Sequence, residues 1–300
     1  MERWLTRIIG VLMVLGLGLG LGPVQAQTMI HVLEQVGQNG NVDWTAGVIM
    51  AVGQGAAPPN AANAAQARAM AERAATVVAY RNLLEVVQGV RVDSATLVEN
   101  MVLSSDVIKS QVSGMVKGAQ IVKKETAPDG LVEVTVAMKL TGDFSNLLLP
   151  KVKPAPPIPA QAPVGGRAFT AQPRSPAPVA PGAPAAGTVY TGLIVDARGV
   201  GVRPAMAPKI RNEEGREVYG SAFVGREYAV EQGMMGYIKD LPAAQSNSRV
   251  TDRPFLVKAL KADGPNRTDL VIGNGDAQTL HGMKENLNFL EKARVMVVLD

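Results

Sequence analysis

The chain has 300 residues, of which 47% are hydrophobic and 19% are charged, so it is long enough for two ordinary domains and too apolar for global disorder. It contains no cysteine and two histidines, which excludes disulfide scaffolds, cysteine-ligated metals and thiol catalysis. The net charge is +4, but much of the positive excess lies at the N-terminus and in a proline-rich segment, so we expect no nucleic-acid binding.

Residues 1–26 are predicted to be a cleaved bacterial export signal. Arg3 and Arg7 give a basic start, and residues 8–21 are uncharged but shorter than the about 20 residues that a membrane span needs. Small residues before Gln27 suit signal peptidase. The alternative is an uncleaved anchor. We expect the mature protein in the periplasm or associated with the outer membrane.

Residues 27–149 are predicted to form an α+β module, an antiparallel sheet with helices on one face. Prolines end the second strand before Asn60, which can cap a helix. Valines alternate with polar residues along the last strand, so one sheet face is expected to be buried and one wet. The expected elements are two strands (29–36 and 42–52), a helix (60–87), a helical region capped by Asp93-Ser94 and ending near Gln111, and two strands (119–124 and 131–140).

Several motifs of this module resemble those of a known envelope family. They are Gly53-x-Gly55, the helix that contains Ala67-Arg68, the segment Gly89-Val90-Arg91-Val92, and Gly114 followed by the hairpin at 129–134. Over residues 44–142 the chain resembles the twenty-kilodalton bacterial outer-membrane lipoprotein family, which is similar to the N-terminal domain of flagellar assembly protein T.

The resemblance implies a non-catalytic module of outer-membrane or flagellar basal-body assembly, with envelope proteins as partners and no cofactor. It supplies no catalytic residue. The lipoproteins begin with a lipidated cysteine, and this chain has no cysteine. Anchoring by acylation is therefore not implied.

Residues 150–187 are rich in proline and alanine and cannot bury a core. Such a composition favours extended polyproline II structure, so we expect a semi-rigid tether between two independent modules. The segment contains four basic residues that could contact anionic cell wall or the outer membrane, although solvated charges are the simpler interpretation: Lys151, Lys153, Arg167 and Arg174.

Residues 188–300 are predicted to form an α/β or α+β domain. The expected elements are a strand (189–197), a turn (212–215) leading to a strand (217–219), a hairpin (255–260 and 268–272), a helix (277–292) and a buried strand (295–299). The succession of strand, helix and strand at the end indicates a parallel crossover.

No motif assigns a catalytic, cofactor or metal site. The loop 273–276 follows a strand and opens a helix, as a phosphate-binding loop would, but Asp276 as a helix cap explains it as well. His281 is expected to be a partly exposed helical residue, and Arg68 and Arg81 either face a partner or are solvated. Four carboxylates near strand ends could gather around Ca²⁺ or Mg²⁺, although aspartates that form turns are commoner: Asp196, Asp269, Asp276 and Asp300.

The leading hypothesis is a secreted, non-enzymatic envelope protein in outer-membrane or flagellar assembly. Its expected docking surface is the exposed face of the helix 60–87 or the sheet which that helix covers. One alternative is a periplasmic enzyme or small-ligand-binding protein that uses the C-terminal domain near the loop 273–276. Another is a surface adhesion or stalk component.

Overall fold

A computed structural model describes residues 30–150, 190–282 and 284–300. The predicted export signal and almost all of the predicted tether lie outside the described residues. The fold is α+β, with one sheet in each half of the chain. In the described part of the chain, no helix has the length and apolar character that crossing a membrane requires.

The N-terminal module, residues 30–150, is built on an antiparallel sheet in the order β1-β2-β3-β5-β4. Helix α1 packs across β3 and β5, so one face of the sheet is buried, as expected. Its elements are β1 (Leu33–Gln35), β2 (Gly40–Asp43), β3 (Val48–Gly55), α1 (Ala64–Gln88), α2 (Val98–Ser104), α3 (Asp106–Lys117), β4 (Gln120–Thr126), β5 (Val132–Lys139) and α4 (Asp143–Leu148).

The predicted strand 42–52 is wrong in one respect, because it is two strands joined by a tight turn. The Asp43 carboxylate accepts hydrogen bonds from the backbone N–H groups of Thr45 and Ala46. Gly47 completes the turn with a φ of 66°, which glycine adopts without strain. The chain therefore reverses inside an apolar run that reads as continuous.

Two predicted helix starts are also wrong. Helix α1 is capped by Asn63, whose side chain accepts from Gln66 N, and not by Asn60. Asp93 holds a turn by accepting from Thr96 N, and the next helix begins only at Val98. In both places several residues could cap a helix, and the packing of the helix selects one of them.

Helix α1 lies unusually close to β3. A Cβ atom at Gly53 would stand 2.1 Å from the backbone N of Ala79, and one at Gly55 would stand 2.3 Å from the carbonyl O of Ala71. The buried helix positions that face this strand include Ala71, Ala75 and Ala79. The Gly53-x-Gly55 motif and the alanine face of the helix thus serve one purpose, which is close contact of helix and sheet.

The C-terminal module, residues 190–300, contains a mixed sheet in the order β8-β7-β11-β10-β6-β12-β9. Strands β10, β6, β12 and β9 are parallel neighbours, and β11 is antiparallel to β10. Its elements are β6 (Gly192–Asp196), β7 (Ile210–Asn212), β8 (Glu217–Tyr219), α5 (Arg226–Gln232), β9 (Gly236–Ile238), α6 (Leu241–Gln245), β10 (Pro254–Asp263), β11 (Asp269–Ile272), α7 (Asn274–His281), α8 (Lys284–Glu291) and β12 (Val295–Val298).

The hairpin predicted at 255–260 and 268–272 is confirmed as β10 and β11. The continuous helix 277–292 is wrong, since α7 ends at His281 with Gly282 as its C-cap, and α8 follows. The parallel crossover is wrong as well. β10 and β6 separate β11 from β12, and the antiparallel pairing of β11 with β10 makes β11 antiparallel to β12.

The two modules share one continuous hydrophobic core, which the expectation of independent modules did not foresee. At the junction, the rings of Trp44 and Tyr237 meet edge to face with centroids 5.9 Å apart. Leu140 and Met206 are buried in the same cluster. A separate small core lies under α6 on the other face of the C-terminal sheet. The predicted tether would permit independent movement, but the apolar faces of the modules bury each other.

Candidate functional site: the cleft between the two modules

The junction begins with backbone hydrogen bonds between the modules. Met206 N donates to the Arg91 carbonyl at 3.1 Å, and Ala207 N donates to the Val92 carbonyl at 2.7 Å. The Arg91 Nε donates to the carbonyl O of Pro204 at 2.9 Å. The segment 204–207 therefore lies against the backbone of Arg91 and Val92. The motif Gly89-Val90-Arg91-Val92 is part of this junction.

Glu34 is the charged centre of the junction. Its carboxylate accepts hydrogen bonds from buried Arg91, from Trp44 Nε1 at 2.9 Å and from Arg203 Nη2 at 3.1 Å. Burial alone would raise the pKa of Glu34, but the hydrogen bonds and charges of these partners hold it below the ordinary value of 4.5. Because Arg203 belongs to the C-terminal module, this carboxylate links the two halves.

Tyr237 makes a second polar contact between the modules. Thr45 Oγ1 donates to the Tyr237 carbonyl at 2.9 Å. The Tyr237 hydroxyl donates to the Ala205 carbonyl at 2.9 Å and accepts from Ala205 N at 3.1 Å. Burial raises the pKa of this hydroxyl, so it stays protonated. A further bond joins Gly142 N to the Val230 carbonyl at 2.7 Å.

A cavity of about 260 Å³ lies between the modules beside Tyr237. We call it the inter-module cleft. The residues that line it include Trp44, Thr45, Leu140 and Ser145 from the N-terminal module and Met206, Glu231, Met234, Tyr237 and Arg249 from the C-terminal module. The hydroxyls of Thr45, Ser145 and Tyr237 each donate to a backbone carbonyl, so none of these three donates to a side chain that could act as a general base.

Arg249 is the cation of the cleft. Its Nε donates to the Ala293 carbonyl and its Nη1 to the Gln232 carbonyl, both at 2.8 Å, while Nη2 donates to the Gly233 carbonyl. In the described part of the chain, no carboxylate lies within ion-pairing distance of the guanidinium. Burial lowers the pKa of Arg249, and Tyr219 and Tyr237 oppose this shift.

The loop 273–276 does not present a free anion site. The Glu213 carboxylate already accepts a hydrogen bond from Asn274 N at 2.9 Å, in the first turn of α7. Gly273 is the N-cap, so the predicted role of Asp276 as the cap is wrong. Asp276 lies within the first turn, where its negative charge interacts favourably with the helix dipole. Burial nevertheless raises the pKa of Asp276.

The four aspartates considered as a metal site are dispersed. Asp196 is paired with Arg198 at 2.6 Å, and Asp300 accepts a hydrogen bond from Gly199 N at 3.0 Å. Asp196 and Asp300 therefore lie at the carboxyl ends of the neighbouring strands β6 and β12. Asp269 is buried on β11 and accepts from Lys209 N, and Asp276 lies on α7. Across residues 30–150, 190–282 and 284–300, no group of three or more acidic or histidine side chains could hold a metal ion.

His281 is partly exposed at the end of α7, as predicted. Its Nε2 lies 2.8 Å from the Val218 carbonyl, and its ring meets that of Phe223 edge to face. The His281 side chain therefore connects helix α7 to strand β8 through this contact.

The exposed side of α1 forms a row that we call the α1 stripe: Met70, Arg73, Ala74, Val77 and Arg81. The main contacts of α1 are with β2, β3, β5, α2 and α3, all in the N-terminal module. Neither Arg73 nor Arg81 forms an ion pair with another described residue. Arg68 lies outside the row, near Glu72.

No sequence signal marked Glu34, Arg203, Tyr237 or Arg249. Arg91 stood inside a quoted motif, but the motif does not reveal its partners. These residues are far apart in the sequence, and only the docking of the two modules brings them together.

Comparison with known proteins concerns the C-terminal module. The family model of the second domain of Treponema pallidum Tp0624 matches residues 192–300, which is less than half of the chain. The match begins at the first residue of β6 and includes the whole C-terminal sheet. A search of curated proteins found no match. The resemblance over residues 44–142 stays a prediction.

Proposed function

We propose that the protein is an exported, non-catalytic component of a bacterial envelope assembly, and that its N-terminal module docks another envelope protein. The α1 stripe is the proposed docking surface. The outer membrane and the flagellar basal body are the proposed settings, because of the resemblance over residues 44–142. The likeness of residues 192–300 to a domain of a Treponema pallidum protein supports a bacterial origin.

The observation that carries this proposal is the character of the α1 stripe. Val77 is 63% exposed and Met70 is 43% exposed, so both present apolar surface to solvent. Arg73 and Arg81 lie in the same row, without ion-pair partners in the described part of the chain. An apolar strip flanked by arginines suits a partner with an apolar groove and acidic rims.

The opposite side of α1 adds rigidity to this surface. Its buried alanines pack against β3 at Gly53 and Gly55, where an added Cβ atom would meet the helix backbone. A surface held in one conformation loses little conformational freedom when a partner binds. The stripe is therefore presented by a rigid element, which favours specific docking.

Photo-crosslinking in the native envelope tests the proposal. A photoreactive residue is placed at Val77 in the full chain, and a matched one at Leu256, which is 45% exposed on the C-terminal sheet. We expect Val77, and not Leu256, to crosslink to one envelope protein, and we expect M70D or R81E, each combined with the photoreactive residue at position 77, to abolish that crosslink. Equal crosslinking at both positions, or a crosslink from position 77 that survives both M70D and R81E, overturns the docking role of the stripe.

A further inference from the structure

We propose that the inter-module cleft is a binding site for a small carboxylate compound, whose carboxylate pairs with Arg249. The compound would have an apolar body of a few carbon atoms. This site is distinct from the α1 stripe, and the inference does not depend on the docking role proposed above.

The first argument is the orientation of the Arg249 guanidinium. Its Nη1 and Nη2 bond to the carbonyls of Gln232 and Gly233, two residues that line the cleft, whereas Nε bonds to Ala293, which does not. The Nη end therefore stands at the cleft wall. A guanidinium has five N–H donors, so one donor on each Nη remains after these three bonds. Two donors on one guanidinium can pair with the two oxygens of a carboxylate.

The second argument is the charge of Arg249. Its guanidinium is partly buried and contacts backbone carbonyls, and no carboxylate of the described residues neutralises it. Buried charges in proteins are normally paired or bound to a ligand. A bound anion would complete the set of partners around this guanidinium, and the desolvated surroundings would strengthen the pairing.

The third argument selects the class of anion. Among the described residues that line the cleft, Arg249 is the single cationic side chain, and Glu231 is an acidic one. A monovalent carboxylate is neutralised by one guanidinium, whereas a phosphate dianion would remain repelled by Glu231. Trp44, Met206 and Met234 give the cleft an apolar wall for the rest of the ligand. A volume of about 260 Å³ restricts that ligand to a small molecule.

NMR titration of the full chain with butyrate, butyramide and inorganic phosphate tests the inference. The Trp44 side chain lines the cleft, and its indole N–H, which donates to Glu34, reports binding against its ring. We expect butyrate to shift the Trp44 signal with a Kd of about millimolar size, as its few atoms allow. Butyramide, which has the same shape without the charge, and phosphate should bind at least about tenfold more weakly.

Two kinds of variant identify the residues involved. R249K keeps the charge but loses the fork of donors, so we expect butyrate affinity to fall by about tenfold or more. Because Arg249 also binds three carbonyls, the exposed Glu231 supplies a second test that spares the fold. E231Q should tighten butyrate binding by about two- to fivefold, since it removes a like charge, and E227Q on the same helix should change nothing.

The outcomes separate clearly. Butyrate binding that weakens in R249K and tightens in E231Q supports the site. Equal binding of butyrate and butyramide, a preference for phosphate, or no shift of the Trp44 signal with any of the three overturns it. None of these results affects crosslinking at Val77.

Discussion

Glu34 and its partners show how one carboxylate can connect two modules. Arg91 approaches it from inside the N-terminal module and Arg203 from the C-terminal module. The two arginines differ in burial, because the Arg91 side chain is 6% exposed and that of Arg203 is 57% exposed. Ion pairs at the surface contribute little, while a buried charge that loses its partner is costly.

Substitution of the two arginines should therefore have unequal effects. We expect R91A to lower the free energy of unfolding by about 1.5–3 kcal/mol, because it removes the buried main partner of the partly buried Glu34 carboxylate. R203A removes a contact to the same carboxylate and is the matched control, with an expected loss below about 1 kcal/mol. Urea denaturation of both variants measures the difference. Equal losses would show that Arg91 does not hold the junction.

The lowered pKa of Glu34 gives a pH dependence with a definite sign. A carboxyl whose pKa is lower in the folded state stabilises the fold above its unfolded pKa, here 4.5, and this contribution disappears as the pH falls through the folded pKa. The wild type should exceed E34Q in stability by a constant amount at neutral pH, and the excess should shrink below pH 4.5. Urea denaturation of both proteins from neutral pH to about pH 3 checks this. An excess that stays constant throughout contradicts the assigned pKa.

Helix α1 and strand β3 form the tightest packing of two elements in the N-terminal module. Glycine at positions 53 and 55 lets the helix backbone approach the strand, and alanines fill the remaining space. Well-packed contacts of this kind tolerate added volume poorly. The spacing of glycine and alanine in the sequence therefore has a physical cause, which is the close approach of helix α1 to strand β3.

Two glycine substitutions distinguish this packing from ordinary helix propensity. G53A should destabilise the protein by about 1–3 kcal/mol, because the new methyl group meets the α1 backbone. G114A is the matched control in helix α3, where a Cβ would have open space, and it should stabilise by about 0.5–1 kcal/mol. Thermal melting of both variants measures the changes. A neutral G53A would mean that α1 can move away from β3.

The sequence allowed prediction of what depends on local pattern and missed what depends on distant partners. The α+β class, the hairpin of β10 and β11 and the alternation along β5 follow from turn residues and period-two spacing. The break at Gly282 and the reversal at Gly47 were missed because apolar spacing continues through both. The inter-module cleft could not be predicted, since Arg249 and Trp44 meet only after two separately folded surfaces have docked.

At the scale of the whole molecule, the shared core makes the described residues one structural unit. Trp44 packs on Tyr237, and Arg91 binds the Pro204 carbonyl, so each module contributes to the stability of the other. A fragment such as residues 27–149 alone would expose part of this core. For that reason the experiments above use the full chain.

Cleavage within residues 150–187 tests whether the modules hold together without their covalent connection. We introduce a specific protease site near the middle of this segment, cut the purified protein and examine it by size-exclusion chromatography without denaturant. Because the junction combines buried aromatic contacts, backbone hydrogen bonds and the Glu34 cluster, we expect both fragments to elute together.

The control for this experiment is Y237A, which removes the edge-to-face contact with Trp44 and the hydroxyl bonds to Ala205. After the same cut, its fragments should separate or elute mostly apart, since loss of a buried aromatic side chain costs about 3–5 kcal/mol. Separation of the cut wild-type fragments, each retaining its own melting transition, would instead establish two independent modules joined by a tether. If the wild-type fragments elute together and the Y237A fragments dissociate, the contacts at the junction are what holds the two fragments together.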